Sequence, residues 1–217
     1  VFGFPANCGE EPYWHSTPTW VGPGVWDFSE FDENVRKILE ADPDGYIMPR
    51  INVSEPEWWR GDNPGELRVF HDGTVDFNRP YRLWPAKESR TIASMLSEKW
   101  REDMAASLRR LIEHIHNSDY ADHIFAYQIY GQSTEEWYHY SAGRPQFGDY
   151  SSHAHTAFRR WLQDKYGSDY AFMQAWNGRC DSIALAEIPS KERRTADSGQ
   201  RTFRDPETEM DVIDFYE

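Results

Sequence analysis

No apolar run in this 217-residue chain approaches the roughly 20 residues needed to cross a bilayer. No basic run is longer than "RR" or "KERR", and the formal net charge is −14. That balance argues against a nucleic-acid backbone or an anionic membrane surface as partner. There is no GxGxxG after a strand and no GxxxxGK[ST], so neither a dinucleotide nor a nucleotide triphosphate is expected. Ser54 and Ser133 lack a GxSxG context, which disfavours a serine hydrolase. Cysteine is scarce: Cys8 and Cys180 stand far apart with no CxxC. They fit a cytoplasmic chain with free thiols, and one disulfide is the alternative. The opening "VFGFPAN" shows no signal peptide, but a processed N-terminus reads the same way and localisation stays open. His114 with His116, and His153 with His155, sit two apart, and on a helix such pairs do not share a face. No metal and no cofactor are expected.

Aromatics are plentiful. Ten Trp, twelve Tyr and twelve Phe make 16% of the chain, while hydrophobic content is an ordinary 39%. Trp-rich acidic proteins often bind sugars, because a pyranose ring stacks its C–H face on indole and offers hydroxyls to carboxylates and amides. Packing is the plainer use of most of these rings.

The length suits one domain or one piece of a larger one. "VFGF" reads as a short strand, followed by a loop punctuated by Pro and Gly up to residue 27. Phe28, Phe31, Val35, Ile38 and Leu39 recur at helical spacing behind Ser29 as N-cap. "GYIMPRINV" (45–53) reads as a strand buried on both faces, with Pro49 as a caution because proline cannot donate to a ladder. Residues 54–90 read as a long connection with a hairpin at "VFHDGTVDF". A helix from about Ser89 to Asn117 is expected from the stripe Trp100, Met104, Leu108, Leu111, Ile112 and Ile115. "HIFAYQIY" (123–130) reads as a second buried strand. A helix over 150–167 follows, with Ala157, Phe158, Trp161 and Leu162 inward and Gly167 as its stop. Ser168 caps a short helix over 168–177. Residues 178–209 read as polar loop, and "MDVIDFYE" as first helical turns. The alternation predicts an α/β fold with parallel strands.

Reactive groups in such folds stand just past the C-terminal ends of strands. After the first long strand come Arg50, Asn52, Glu55, Glu57, Trp58 and Trp59. After the second come Gln132, Ser133, Thr134, Glu135, Glu136, Trp137 and Tyr138. Carboxylates beside aromatic rings are what glycoside hydrolysis needs: one acid protonates the leaving oxygen, and a second carboxylate attacks or stabilises the sugar cation. An apolar wall such as Trp137 would raise the pKa of Glu136 by desolvation. The plainer readings are an acidic first helical turn for Glu135-Glu136, a packed loop edge for Trp58-Trp59, and a structural ion pair for Arg50.

Three phrases resemble the clan A glycoside hydrolases, family 42 β-galactosidases above all. They are "GPGVWDFSEFDENVRKILEADPDGYIMPRINVSEPEWW", "SEKWREDMAASLRRLIEHIHNSDYADHIFAYQIYGQSTEEW" and "FRRWLQDKYGSDYAFMQAWN". The resemblance runs from about Val21 to the C-terminus. It implies a (β/α)8 barrel of the TIM type, of which the chain carries about the second strand to the fourth helix in a partial catalytic domain. It also implies an oligosaccharide or glycoside substrate and an acid/base glutamate after the fourth barrel strand. Glu136 in "TEEW" falls at that position and matches the Glu of a related "T-G-E-W" phrase, with Glu135 as runner-up. The family's "N-E" pair is absent, and Gln132 stands as a replacement for its Asn. Arg50, Asn52, Trp58, Trp59, Trp137 and Tyr138 would line the cleft.

A complete barrel takes about 250 residues, and only about three strands fit here. The nucleophile expected after the seventh strand is not identified. The chain is therefore expected to pair with another chain or to belong to a longer protein. A non-catalytic sugar-binding module, a degenerate barrel or an acidic assembly domain are the alternative readings.

Overall fold

The computed structural model describes residues 1–9, 17–75, 77–78, 90–131, 137, 148–194, 210–212 and 214–215. In chain order the elements are β1 (Pro5–Asn7), β2 (Trp20–Gly22), β3 (Val25–Trp26), α1 (Ser29–Ala41), β4 (Arg50–Asn52), α2 (Glu57–Asp62), β5 (Phe77–Asn78), β6 (Arg90–Thr91), α3 (Glu98–His116), β7 (Gln128–Tyr130), α4 (Ser152–Tyr166), α5 (Asp169–Ala175) and α6 (Lys191–Arg194). β1, β4 and β7 form a parallel sheet in that order, while β2–β3 and β5–β6 are antiparallel pairs.

The period of two along the parallel strands divides the sheet into two faces. Ala6, Ile51 and Ile129 lie in one register row, and Asn7, Asn52 and Tyr130 in the next. Ala6 and Ile51, with Phe4, Cys8 and Ile47, pack against Phe31 and Val35 of α1 and Leu111 and Ile115 of α3. The helices therefore cover one face, and the Asn7–Asn52–Tyr130 row looks the other way.

Helix limits follow local chemistry. The Ser97 hydroxyl accepts the Trp100 N–H at 3.0 Å and starts α3, whose buried stripe is Trp100, Met104, Ser107, Leu111 and Ile115. Ser151 accepts from Ala154 at the start of α4, and Gly167, at φ 69°, ends it in the left-handed conformation. Phe158, Leu162, Phe172, Trp176 and Ile183 form a second core around α4 and α5. Asp211, in the last described helical turn, accepts Lys165 Nζ at 2.8 Å, both its oxygens meet the Tyr166 hydroxyl, and it takes the Trp176 indole N–H as well.

Several elements depart from the sequence expectations. The first strand lies not at "VFGF" but just after it, at Pro5–Asn7, with Phe2 making only an isolated bridge to Ile47, and the loop beyond carries the β2–β3 pair. Ser29 is the first helical residue and not the cap; Asp27 accepts its N–H at 2.9 Å and its hydroxyl at 2.5 Å, which holds the Asp27 carboxyl below its usual range. The 45–53 strand splits: Ile47 bridges Phe2 and Ile124, and regular pairing resumes only at Arg50. Pro49 sits at the break, offering its carbonyl to Gln128 N–H but no donor of its own. Helix α3 starts nine residues later than expected, because Arg90–Thr91 pairs with Phe77–Asn78 and Ala93 bridges Leu67. The strand at 128–130 is not buried on both faces, since Ile129 is 37% exposed at the edge of the described sheet. The 54–90 connection contains α2, and the Asp72-Gly73 hairpin forms with Gly73 at φ 80° and Val69 bridging Val75. Both cysteines are free thiols.

Candidate active site

The C-terminal ends of β1, β4 and β7 open on one side of the sheet, where their loops begin. Asn7, Asn52 and Tyr130 stand in register there, and all three are buried. Both amide atoms of Asn52 lack a hydrogen-bond partner among the described residues. A buried amide in that state costs free energy until a polar group meets it. Two residues earlier and on the same face, the Arg50 guanidinium lies 5.7 Å from the Tyr130 ring centroid, so Arg50 and Asn52 share the face that the helices leave open.

Helix α2, which follows β4, carries two tryptophans in different surroundings. Trp59 has no face open to solvent: it is 1% exposed and donates its indole N–H to Asp103 at 2.7 Å. Trp58 is half-buried, meets Trp20 edge-on at 4.7 Å between centroids, and borders an open groove of about 450 Å³ with Pro18, Val21, Pro56 and Glu57. Trp20 in turn stacks on Trp26. Glu55, one of the carboxylates read from the sequence, is consumed by structure. It accepts the Ala93 N–H at 2.9 Å and the Trp100 indole N–H at 2.7 Å, with Arg60 Nη1 at 3.8 Å.

After β7, Gly131 is buried and Trp137 is 51% exposed. The Trp137 indole N–H reaches back to the Ile129 carbonyl at 3.4 Å. Gln132, Glu135, Glu136 and Tyr138 lie outside the described residues. The structure thus brings Arg50 and Asn52 together beneath the strand ends, puts Trp58 on the rim, and ties Trp137 to the third strand.

Sequence reading did not single out Asn7, Tyr130 or Trp20, which the structure places beside those candidates. Asn7 was hidden in a segment read as loop, and only the register of three strands aligns it with Asn52. Among the described residues no cluster of three or more His, Cys, Asp or Glu could hold a metal ion. His114 instead meets Asp32 at 2.6 Å and His153 meets Glu66 at 3.0 Å, so these ring nitrogens serve helix packing. No helix among the described residues is long and apolar enough to cross a membrane.

The family model for glycoside hydrolase family 42, β-galactosidase, matches residues 20–186. The fold is similar to that of the β-galactosidase from the Antarctic haloarchaeon Halorubrum lacusprofundi, at 20% identity and TM-score 0.58, over 79% of this chain and 23% of that one. A β-galactosidase from the psychrophilic Marinomonas ef1 matches at 18% identity and TM-score 0.59, over 97% of this chain and 29% of that one. The catalytic domain of a β-amylase from Paenibacillus polymyxa matches at 17% identity and TM-score 0.56, over all of this chain and 52% of that one. No match is found among curated protein sequences. The chain spans about a quarter of the length of these two β-galactosidases. Its α/β architecture with parallel strands is a portion of the (β/α)8 barrel found in glycoside hydrolases. With more than half of its residues under that family model, the chain belongs to glycoside hydrolase family 42.

Proposed function

We propose that this chain is the part of a retaining β-galactosidase-like glycosidase that supplies the general acid/base, and that Glu136 is that residue. In this reading residues 1–217 belong to one barrel catalytic domain completed by further strands, in the same protein or a partner. Glu136 protonates the glycosidic oxygen as the bond breaks. A second carboxylate about 5–5.5 Å away attacks the anomeric carbon, and Glu136 then removes a proton from the water that releases the sugar. Glu135 stands beside it as a neighbour. Arg50 and Asn52 contact sugar hydroxyls from below, with Gln132 in the place of the family's Asn. Trp58, Trp137 and Tyr138 offer faces to the ring, and Trp59 anchors α2, the short helix that carries Trp58.

The observation that supports this best is the tie between Trp137 and the Ile129 carbonyl in β7, because Trp137 directly follows Glu136. The partnerless buried amide of Asn52 adds support for a polar ligand at the strand ends. Glu136→Gln in the full-length protein is expected to lower turnover of aryl β-galactosides by roughly 10²–10⁴-fold, the usual contribution of a positioned acid/base. Unchanged turnover would sink the assignment, and the same change at Glu135 separates the two candidates.

A further inference from the structure

Trp20 and Trp58 meet at close to a right angle, with 85° between their planes and 4.7 Å between ring centroids. They make a corner in the groove of about 450 Å³ whose rim is completed by Pro18, Val21, Pro56 and Glu57. Each of these residues, with its neighbours in the chain, is among the described residues. The volume falls within the roughly 300–1,000 Å³ usual for a small-molecule site. One side of the corner is rigid. Trp20 is 7% exposed, packs in a core with Val53, Trp59 and Met104, and stacks on Trp26 at 6.3 Å between centroids. Yet the Trp20 indole N–H meets no acceptor. A buried indole normally finds one, and a stranded donor costs free energy. Phenylalanine would fill the same space without that cost, so packing alone does not account for the indole. Trp58 donates to the Trp20 carbonyl at a long 3.4 Å, so its ring gives up little by turning towards a ligand.

The groove also has a telling position. The Thr19 and Trp20 N–H groups donate to the Asn7 and Cys8 carbonyls at 2.8 and 3.1 Å. Trp58 lies in the first turn of α2, just past β4. Both sides of the corner therefore hang from the strand ends that carry the partnerless Asn52 amide. We propose that the groove is a second sugar subsite, and that the substrate is a neutral galactoside chain whose next pyranose sits against Trp58 and Trp20. The proposal rests on the β-galactosidase-like reading, which supplies the class of ligand. A pyranose brings an apolar C–H face for the Trp58 ring. Its edge brings hydroxyls, one to donate to the Glu57 carboxylate and one to accept the stranded Trp20 N–H. Glu57 is the one charged group on the rim and the chain carries a net charge of −14, so acidic sugars are disfavoured.

The test is an affinity ratio, measured by calorimetry on the full-length protein with galactose and with sulfur-linked galactotriose, which resists hydrolysis. Wild type should bind the trisaccharide on the order of tenfold more tightly than galactose, the scale of one good aromatic contact. Trp58→Ala should bring the ratio close to one, and Trp58→Phe, which keeps a ring face, should restore most of it. Val21→Arg, at a 43% exposed position, fills the groove and serves if Trp58→Ala folds poorly. A wild-type ratio near one, or an advantage that survives both Trp58→Ala and Val21→Arg, overturns the subsite. So does a loss of self-association in Val21→Arg with the ratio intact, read by light scattering, because the groove would then join two copies of the chain. In each of those cases, turnover of aryl β-galactosides that Glu136→Gln lowers leaves the galactosidase reading standing. Binding of neither probe, with no turnover of aryl β-galactosides by wild type, overturns that reading and the subsite with it.

Discussion

Removing the Glu55 side chain gives a prediction that the structure sizes. Its carboxylate is 4% exposed and accepts two N–H donors, from the Ala93 backbone and the Trp100 indole. Glu55→Ala leaves both donors buried with no acceptor, at about 1–3 kcal/mol each. Arg60 loses less, because its Nη1 keeps the Glu55 backbone carbonyl at 2.8 Å and its distance to the carboxylate is already 3.8 Å. The expected loss is therefore about 4 kcal/mol, a large part of the roughly 5–15 kcal/mol that holds a domain together. Glu55→Gln keeps one acceptor oxygen and the shape, and should cost about 1–3 kcal/mol. Urea titration followed by tryptophan fluorescence measures both as a shift in midpoint at constant slope. A Glu55→Ala protein within about 1 kcal/mol of wild type would refute the reasoning, since water or a rearranged side chain would then have replaced the carboxylate. Activity separates this structural role from a catalytic one: Glu55→Gln should retain turnover wherever it remains folded.

The Asp211 cluster should loosen in alkali. Burial foremost, then the Asp211 carboxylate, pushes the Tyr166 phenol up to about 12; burial pulls Lys165 down, but Asp211 and Asp214 outweigh it and leave it raised. Both groups hold their protons more tightly when folded, so their contribution is complete below about pH 10 and is lost as pH climbs towards 12. Tyr166→Phe should be less stable at pH 8 and should lose stability less steeply over that window, as read by alkaline unfolding; an unchanged slope would contradict this. The thiols should also differ in reactivity. Cys8 is fully buried, and burial pushes its thiol up to about 12, so a disulfide reagent should titrate Cys180 in the native protein and Cys8 only after unfolding. Two fast thiols would argue against the packing of β1 beneath α1 and α3.

What could be read from sequence was whatever a local pattern encodes. The Phe31–Val35 face of α1, the Trp100–Ile115 stripe of α3, and the end of α4 at Gly167 each depend on residues a few positions apart. The start of α3 was misjudged because Ala93 is claimed by Leu67, 26 residues earlier, and no helical periodicity reports such a claim. The break at Pro49 was signalled, but its consequence depended on which neighbours needed a donor there. The site divides in the same way. Arg50, Asn52 and Trp58 were read as candidates from their place at or just past the end of a strand. Asn7 and Tyr130 needed the register of three strands, and Glu55 looked like a reacting group until Trp100 was seen bonded to it. Trp59 shows the limit from the other side, since adjacent tryptophans in one short helix differ entirely in exposure.

The parallel sheet has a consequence in time as well as in space. Residue 5 must find residue 50, and residue 50 must find residue 128, before any of the three strands has its hydrogen bonds. Each encounter closes a long loop whose entropy must be lost before the contacts give anything back. Topologies of this kind fold slowly, whereas α3 and α4 can form locally in advance. While the strands search, the apolar side chain of Ile129 is open to any other nascent chain. Expression at low temperature or low concentration should therefore raise the yield of soluble protein more than any single stabilising substitution.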